Sequence, residues 1–129
     1  MEILKKLIIV IAAIFAPAKA MILTSFILVV MDLVTGLLAA RKQNIPITSS
    51  GLKRTIVKLA IYEIAIILGF LTQHYLLDGD TIPVANIIAG FVGITELTSC
   101  LENLNILSGN NILQVIIDKL SLDKGPNKK

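Results

Sequence analysis

Three long apolar segments most constrain what this chain can fold into. They cover residues 20–40, 56–77 and 81–101. A helix of about 20 residues rises roughly 30 Å, the thickness of a bilayer's hydrocarbon core. Of the 129 residues, 55% are hydrophobic and 16% are charged, which leaves too little polar surface for a soluble domain. The sequence therefore predicts an all-α integral membrane protein with three full-length transmembrane helices.

A shorter apolar stretch in residues 1–19 precedes these segments and permits three interpretations. Lys5 and Lys6, the following apolar run and Ala18-Lys19-Ala20 resemble a signal peptide with its cleavage site. Alternatively, the stretch is a short N-terminal hydrophobic helix that spans the membrane or lies in its interface. Sixteen helical residues reach about 24 Å, which is short of a full crossing.

The polar stretch from Arg41 to Arg54 predicts the orientation of the chain. It carries four cations and no acid, whereas the turn Asp78-Gly79-Asp80 carries acids and no cation. Because cytoplasmic loops are enriched in Lys and Arg, we expect this stretch and the C-terminus in the cytoplasm and the acidic turn outside. The predicted cytoplasmic basic set is Arg41, Lys42, Lys53, Arg54 and Lys58.

The sequence predicts three parts of the chain. Residues 20–109 form the three-helix membrane domain, which ends at Ser108-Gly109. Residues 110–129 are predicted to form a cytoplasmic amphipathic helix and a basic tail. Together with the N-terminal element of residues 1–19, this gives three full-length spans flanked by two smaller helices.

Each full-length segment contains one acid: Asp32, Glu63 or Glu96. Counted from the predicted cytoplasmic ends of the segments, all three lie roughly 8 to 12 Å deep and form one layer. An embedded charge costs about 2.5 to 3.5 kcal/mol, so such acids normally face the bundle interior or water. Two interpretations remain open. Lys58 or the loop arginines pair with the acids and fix the packing, or the acids line a water-filled path after oligomerisation.

Small and polar residues recur at helical spacing on the first and third segments. Small residues let helix backbones approach in lipid, and polar ones hydrogen-bond between helices. The pattern predicts helix–helix packing at Ser25, Gly36, Gly90, Gly93, Cys100 and Asn103.

Several functional classes find no support in the sequence. The cations form no basic stripe with interleaved aromatic residues, which argues against nucleic-acid binding. A Ser/His/acid set, a Gly-rich phosphate loop and metal-binding His/Cys spacing are all missing from the sequence. We therefore expect neither an enzyme nor a protein with a metal or cofactor.

Three stretches in the same order resemble the phage holin family, which includes toxin-secretion holins. They are Asp32-Leu-Val-Thr-Gly36, then Ile47-Thr-Ser-Ser-Gly-Leu-Lys-Arg54 with Lys58, and finally Glu96-Leu-Thr-Ser-Cys-Leu-Glu-Asn103 with Gly109. Departures from the family pattern are Thr55 in place of a common Gly, Leu59 in place of a second Lys, and Asn110-Asn111 in place of a Pro-containing segment.

The resemblance implies a homo-oligomer that permeabilises the bacterial cytoplasmic membrane. Its partners would be the lipid bilayer and an endolysin or secreted toxin that is released. The alternatives are a non-conducting membrane adaptor that docks a cytoplasmic or virion partner, and an antiholin-like regulator.

Overall fold

The computed structural model describes residues 1–77, 81–111, 115, 116 and 119. Within this part of the chain there are four α-helices and no strand: α1 (Glu2–Phe15), α2 (Lys19–Lys42), α3 (Ser49–Tyr75) and α4 (Val84–Ser108). A single 3₁₀ turn, Ala16–Ala18, joins α1 to α2. The predicted all-α architecture is confirmed.

Helices α2, α3 and α4 are the three predicted spans. They contain 24, 27 and 25 residues, so each rises about 36 to 40 Å, more than the roughly 30 Å hydrocarbon core. All three are apolar enough to cross a membrane. Each packs against the other two, and the contact between α2 and α4 is the most extensive. The membrane domain is therefore a closed three-helix bundle.

The connection between α2 and α3 is shorter than predicted. Arg41 and Lys42 form the last turn of α2, while Lys53 and Arg54 lie within α3, so residues 43–48 alone are irregular. Asn44 adopts a left-handed conformation with φ 56°. The N–H groups of Asn44 and Ile45 then bond the carbonyls of Arg41 and Ala40 at 3.2 and 2.9 Å. This is a Schellman ending, with Asn at the position that Gly usually takes.

At the opposite end of the bundle, α3 and α4 approach closely. A Cβ atom on Gly69 would lie 2.7 Å from Ile88 Cδ1 and 3.3 Å from Ala85 Cα. Gln73 Oε1 accepts a hydrogen bond of 3.0 Å from the Ala85 N–H, which satisfies a free donor in the first turn of α4. The predicted acidic turn, residues 78–80, lies outside the described residues.

Helix α4 ends as the sequence predicts, at Gly109, whose φ is 71°. Glycine tolerates this left-handed conformation, which terminates many helices. The amphipathic helix predicted in residues 110–129 lies almost entirely outside the described residues.

The bundle interior mixes apolar residues with polar ones, and many large apolar side chains point outward. Val29, Ile66 and Ala85 are buried, but so are Ser25 and Glu96. On the outer surface Phe91 is 71% exposed. Such a distribution suits a lipid environment, where outward apolar side chains are solvated by acyl chains and polar groups find partners inside.

Helix α1 stands apart from the bundle, and none of its residues is buried. Its contact with the rest of the chain is at its end. The ring of Phe15 lies 6.1 Å from that of Phe70, which stacks on His74 at 5.5 Å. Next to this contact, Ala18 of the 3₁₀ turn is fully buried. The chain is thus anchored to the bundle where α1 ends and not along α1.

Candidate functional site

The most notable chemical feature of the bundle is an ion-paired cluster that joins its three helices. Lys58 of α3 places its Nζ atom 2.7 Å from Asp32 Oδ2 on α2 and 2.8 Å from Glu96 Oε2 on α4. Lys58, Asp32 and Glu96 are called the charge cluster below. One ammonium group thus bridges carboxylates from two other helices, and every helix of the bundle contributes one member.

The members of the charge cluster are shielded to different degrees. The side chain of Glu96 is 1% exposed, that of Asp32 14% and that of Lys58 30%. A buried carboxylate without a cation is strongly destabilising, whereas a paired one with good geometry is tolerated. When all three groups are ionised, one cation faces two anions. The cluster then keeps an excess negative charge inside the bundle.

Asn103, one turn from the end of α4, holds the other side of the Asp32 carboxylate. Its Nδ2 donates to Asp32 Oδ1 at 3.2 Å and lies 3.2 Å from Thr35 Oγ1. Thr35 is buried and bonds the carbonyl of Met31 at 2.9 Å. Both oxygens of Asp32 therefore have a partner, which fixes the carboxylate toward Lys58.

The predicted layer of three acids is divided by the structure, because Glu63 lies away from the charge cluster. Ser25 donates a hydrogen bond of 2.7 Å to Glu63 Oε1. Ser25 precedes Asp32 by two helical turns, so this contact lies about 10 Å along α2 from the cluster. The layer was predicted by counting from Ile56, whereas α3 begins at Ser49. Along the bundle, Glu63 therefore lies at the level of Ser25 and not at that of Asp32.

Glu63 is also less completely satisfied than the cluster acids. Its Oε2 atom is buried and has no hydrogen-bond partner among the described residues. The Ser25 hydroxyl is itself shared, because its oxygen lies 2.9 Å from the carbonyl of Ile22. Since a hydroxyl has one hydrogen, it cannot donate to both acceptors at once. Glu63 is therefore the weakly supported acid of the bundle.

The predicted packing residues have different environments. Ser25 and Cys100 are buried between helices, and a Cβ on Gly36 would meet Asn103 at 3.4 Å. A Cβ on Gly93 would contact Leu28 at 3.9 Å, whereas one on Gly90 would have no neighbour within 4 Å. Gly90 thus faces away from the bundle. The tightest glycine contact, at Gly69, was not predicted, because the predicted packing residues were sought on the first and third segments and Gly69 lies on the second.

The residues of the predicted basic set also have different environments. Arg41, Lys53 and Arg54 are exposed, and within the described part of the chain none of them forms an ion pair with an acid. Lys42 donates a hydrogen bond of 2.8 Å to the carbonyl of Leu107, near the end of α4. Lys58, by contrast, belongs to the charge cluster. Of the two possible sources of neutralising charge, the structure selects Lys58 over the loop arginines.

A cleft of about 530 Å³ leads from the basic end of the bundle to the charge cluster. Thr48 and Arg54 line it near the surface, and Asp32, Ser99 and Asn103 line it on the inside. Because its wall includes a carboxylate, an amide and hydroxyl groups, the cleft offers water hydrogen-bonding partners. It connects the cluster with the basic end.

Comparison with known proteins assigns the chain to a family. No curated protein matches the chain. No solved structure matches it either. The model of the bacteriophage holin family matches residues 4–124. These residues cover α1 from Leu4 onward and all three spans. The family consists of non-enzymatic membrane proteins. The resemblance seen in the sequence is confirmed, and the chain belongs to the bacteriophage holin family.

Proposed function

We propose that this protein forms homo-oligomers in the bacterial cytoplasmic membrane and permeabilises it, so that an endolysin or a secreted toxin can leave the cytoplasm. Membership of the holin family and the three apolar spans support this function. The connection of residues 43–48 and the C-terminus would face the cytoplasm, because the helix ends on either side of this connection carry Arg41, Lys42, Lys53 and Arg54.

The charge cluster is the observation that carries the proposal. Its pairing satisfies Lys58, Asp32 and Glu96 inside one copy, so the bundle can reside in the membrane without forming a channel. If the helices separate, the three charged groups lose these partners and require water. Several copies that turn these polar faces toward a common centre would supply it. The cluster would therefore stabilise the closed bundle and line the open assembly.

Entry of water through the cleft would be the first step of this opening. The cleft already extends from the basic end to Asp32, so water can reach the cluster before the helices part. Small openings of the α2–α4 contact would then hydrate Asp32 first, since Glu96 is almost fully shielded. Hydration reduces the strength of the ion pairs, because charges interact far more weakly in water than in the protein interior.

Induced expression in bacteria that also produce an endolysin tests the proposal. A potential-sensitive dye should report depolarisation, followed by lysis, and Lys58→Met should bring the onset forward because it removes the only cation of the cluster. Lys53→Met is the matched control, since Lys53 is exposed, and its onset should equal that of the native protein. Membrane abundance is measured by immunoblot for each variant.

The outcomes separate the competing functions. Continued viability and an intact potential, with normal amounts of the native protein in the membrane, would contradict permeabilisation. Equal onset times for the native protein and Lys58→Met would remove the cluster from the mechanism while leaving permeabilisation in place.

A further inference from the structure

Helix α1 differs from the three spans in how its side chains are distributed. At 100° per residue, Glu2, Lys5, Lys6, Ala12 and Ala13 fall on one side, with Ile9 among them. The opposite side holds large apolar residues only: Ile3, Leu4, Leu7, Ile8, Val10, Ile11, Ile14 and Phe15. Such asymmetry is typical of helices that lie at a membrane surface and not of helices that cross it.

The length of α1 leads to the same conclusion. Its 14 residues rise about 21 Å, and the hydrocarbon core is roughly 30 Å thick. Helix α2 already fills the core with about 36 Å. The stretch Glu2–Lys42, 41 residues in all, would reach about 62 Å if straight, twice the thickness of the core. Helix α1 therefore cannot extend α2 along the same axis inside the bilayer.

The junction between α1 and α2 has features that permit the chain to change direction there. Pro17 lies in the 3₁₀ turn Ala16–Ala18, and it lacks the N–H that would continue the helical ladder. Phe15 and Ala18 anchor this turn against Phe70 and Ala85 at the end of the bundle. This end carries Lys19 as the first residue of α2, a side chain suited to the headgroup region.

We propose that α1 is an interfacial helix whose partner is the lipid surface. Its large apolar side enters the acyl chains, and Lys5 and Lys6 point to the phosphates of the leaflet opposite the connection of residues 43–48. The chain then crosses the membrane three times, and its first residues lie on the same side as the α3–α4 connection. All residues of α1 except Phe15 are exposed in the single chain, which leaves both of its sides free for lipid and water.

Spin labelling of the full-length protein tests this arrangement. The background variant Cys100→Ser removes the native thiol. Single cysteines are introduced at Leu7 and Ile11 on the apolar side of α1, and at Ile9 and Ala13 on the opposite side, which carries the lysines. The labelled proteins are placed in vesicles of phosphatidylcholine with phosphatidylglycerol. Labels at 7 and 11 should collide with oxygen, which is enriched in the acyl region. Those at 9 and 13 should collide with a water-soluble nickel complex.

Three results would overturn the proposal. A smooth change of accessibility along residues 7–13, regardless of side, would indicate a helix that crosses the membrane. Protection of all four labels from both reagents would indicate that α1 packs against protein. A purified protein whose mass lacks the first 20 residues would show that the segment is removed.

Sidedness supplies an independent readout. Cysteines at Ile3 and Lys53 are treated with a membrane-impermeant maleimide on intact cells and on inverted membranes. We expect position 3 to react from one side and position 53 from the other. Reaction of both positions from the same side, in cells whose membrane potential is still intact during labelling, would also overturn the proposal.

Discussion

Asn103 donates a hydrogen bond of 3.2 Å to Oδ1 of Asp32, although 71 positions separate the two residues in the chain. The other oxygen of this carboxylate receives Lys58. The α2–α4 contact is therefore fixed by a direct bond between the two helices as well as by the shared cation. Each of these two contacts of Asp32 can be removed by its own substitution.

Replacement of Asn103 by Leu should destabilise the bundle by about 1 to 3 kcal/mol, because it removes the partly buried hydrogen bond to Asp32 Oδ1. Thermal unfolding of the detergent-solubilised protein measures the change. Asn86→Leu is the control on the same helix, since Asn86 is exposed. Equal melting temperatures for the two variants would show that the bond contributes little.

Lys58→Met should have a larger effect, about 3 to 5 kcal/mol, because it leaves two carboxylates in the bundle without a cation. The triple variant Asp32→Asn, Lys58→Met, Glu96→Gln removes all three charges and should recover most of the lost stability. Both are compared with the native protein in the same unfolding assay. A triple variant no more stable than Lys58→Met would mean that the loss arises from packing and not from unpaired charge.

Gly69→Ala should destabilise the fold by about 1 to 3 kcal/mol, because the added methyl group would overlap Ile88 and press on the backbone of Ala85. Gly90→Ala is the matched change on α4 and meets no atom within 4 Å. It should be neutral or slightly stabilising in the isolated chain, since Ala favours helix. Thermal unfolding of both variants checks this contrast.

Gly90 also permits a test of association between copies. If its open face packs against another copy, Gly90→Ala should weaken cross-linking between copies in membranes while leaving the unfolding temperature unchanged. Unaltered cross-linking would place this face against lipid in the assembly as well.

Ser25→Ala should cost about 1 to 3 kcal/mol, because Glu63 would lose its hydrogen bond to Ser25 inside the bundle. The same change in a Glu63→Leu background should cost much less, since no carboxylate then needs the hydroxyl. The difference between the two costs, obtained from a double-mutant cycle of unfolding measurements, gives the coupling of the pair. A coupling near zero would contradict a role for this hydrogen bond.

The sequence predicted the three spans because apolar length is a local property that the bilayer thickness constrains directly. It also singled out Asp32 and Glu96 as acids of the apolar segments, whereas it assigned Lys58 to the cytoplasmic basic set and named it as a candidate partner of the acids. It could not show which acid Lys58 binds, because the relative shift of α2, α3 and α4 depends on tertiary packing. Counting residues along each segment placed Glu63 in one layer with Asp32, whereas its contact with Ser25 lies about 10 Å along α2 from Asp32. The polar first turns of α3 gave no apolar signal of helix.

Close packing was the hardest feature to predict from the residues. Gly90 and Gly93 follow the same small-residue pattern, yet only Gly93 has a neighbour inside the bundle. Gly69, on the second span, was not among the predicted packing residues and makes the closest approach. Helical spacing identifies the residues that share a face but does not reveal which face meets another helix.

The division of charge among the helices has a consequence for biosynthesis. Helices α2 and α3 leave the ribosome before α4, joined by the short connection of residues 43–48, and they carry two members of the charge cluster, Asp32 and Lys58. Each charge alone would oppose entry into lipid by about 2.5 to 3.5 kcal/mol. In a helical hairpin, however, Asp32 and Lys58 can enter as a neutral pair. Helix α4 then brings Glu96 to a cation that is already in place, so the excess negative charge of the charge cluster enters the membrane only with the last helix.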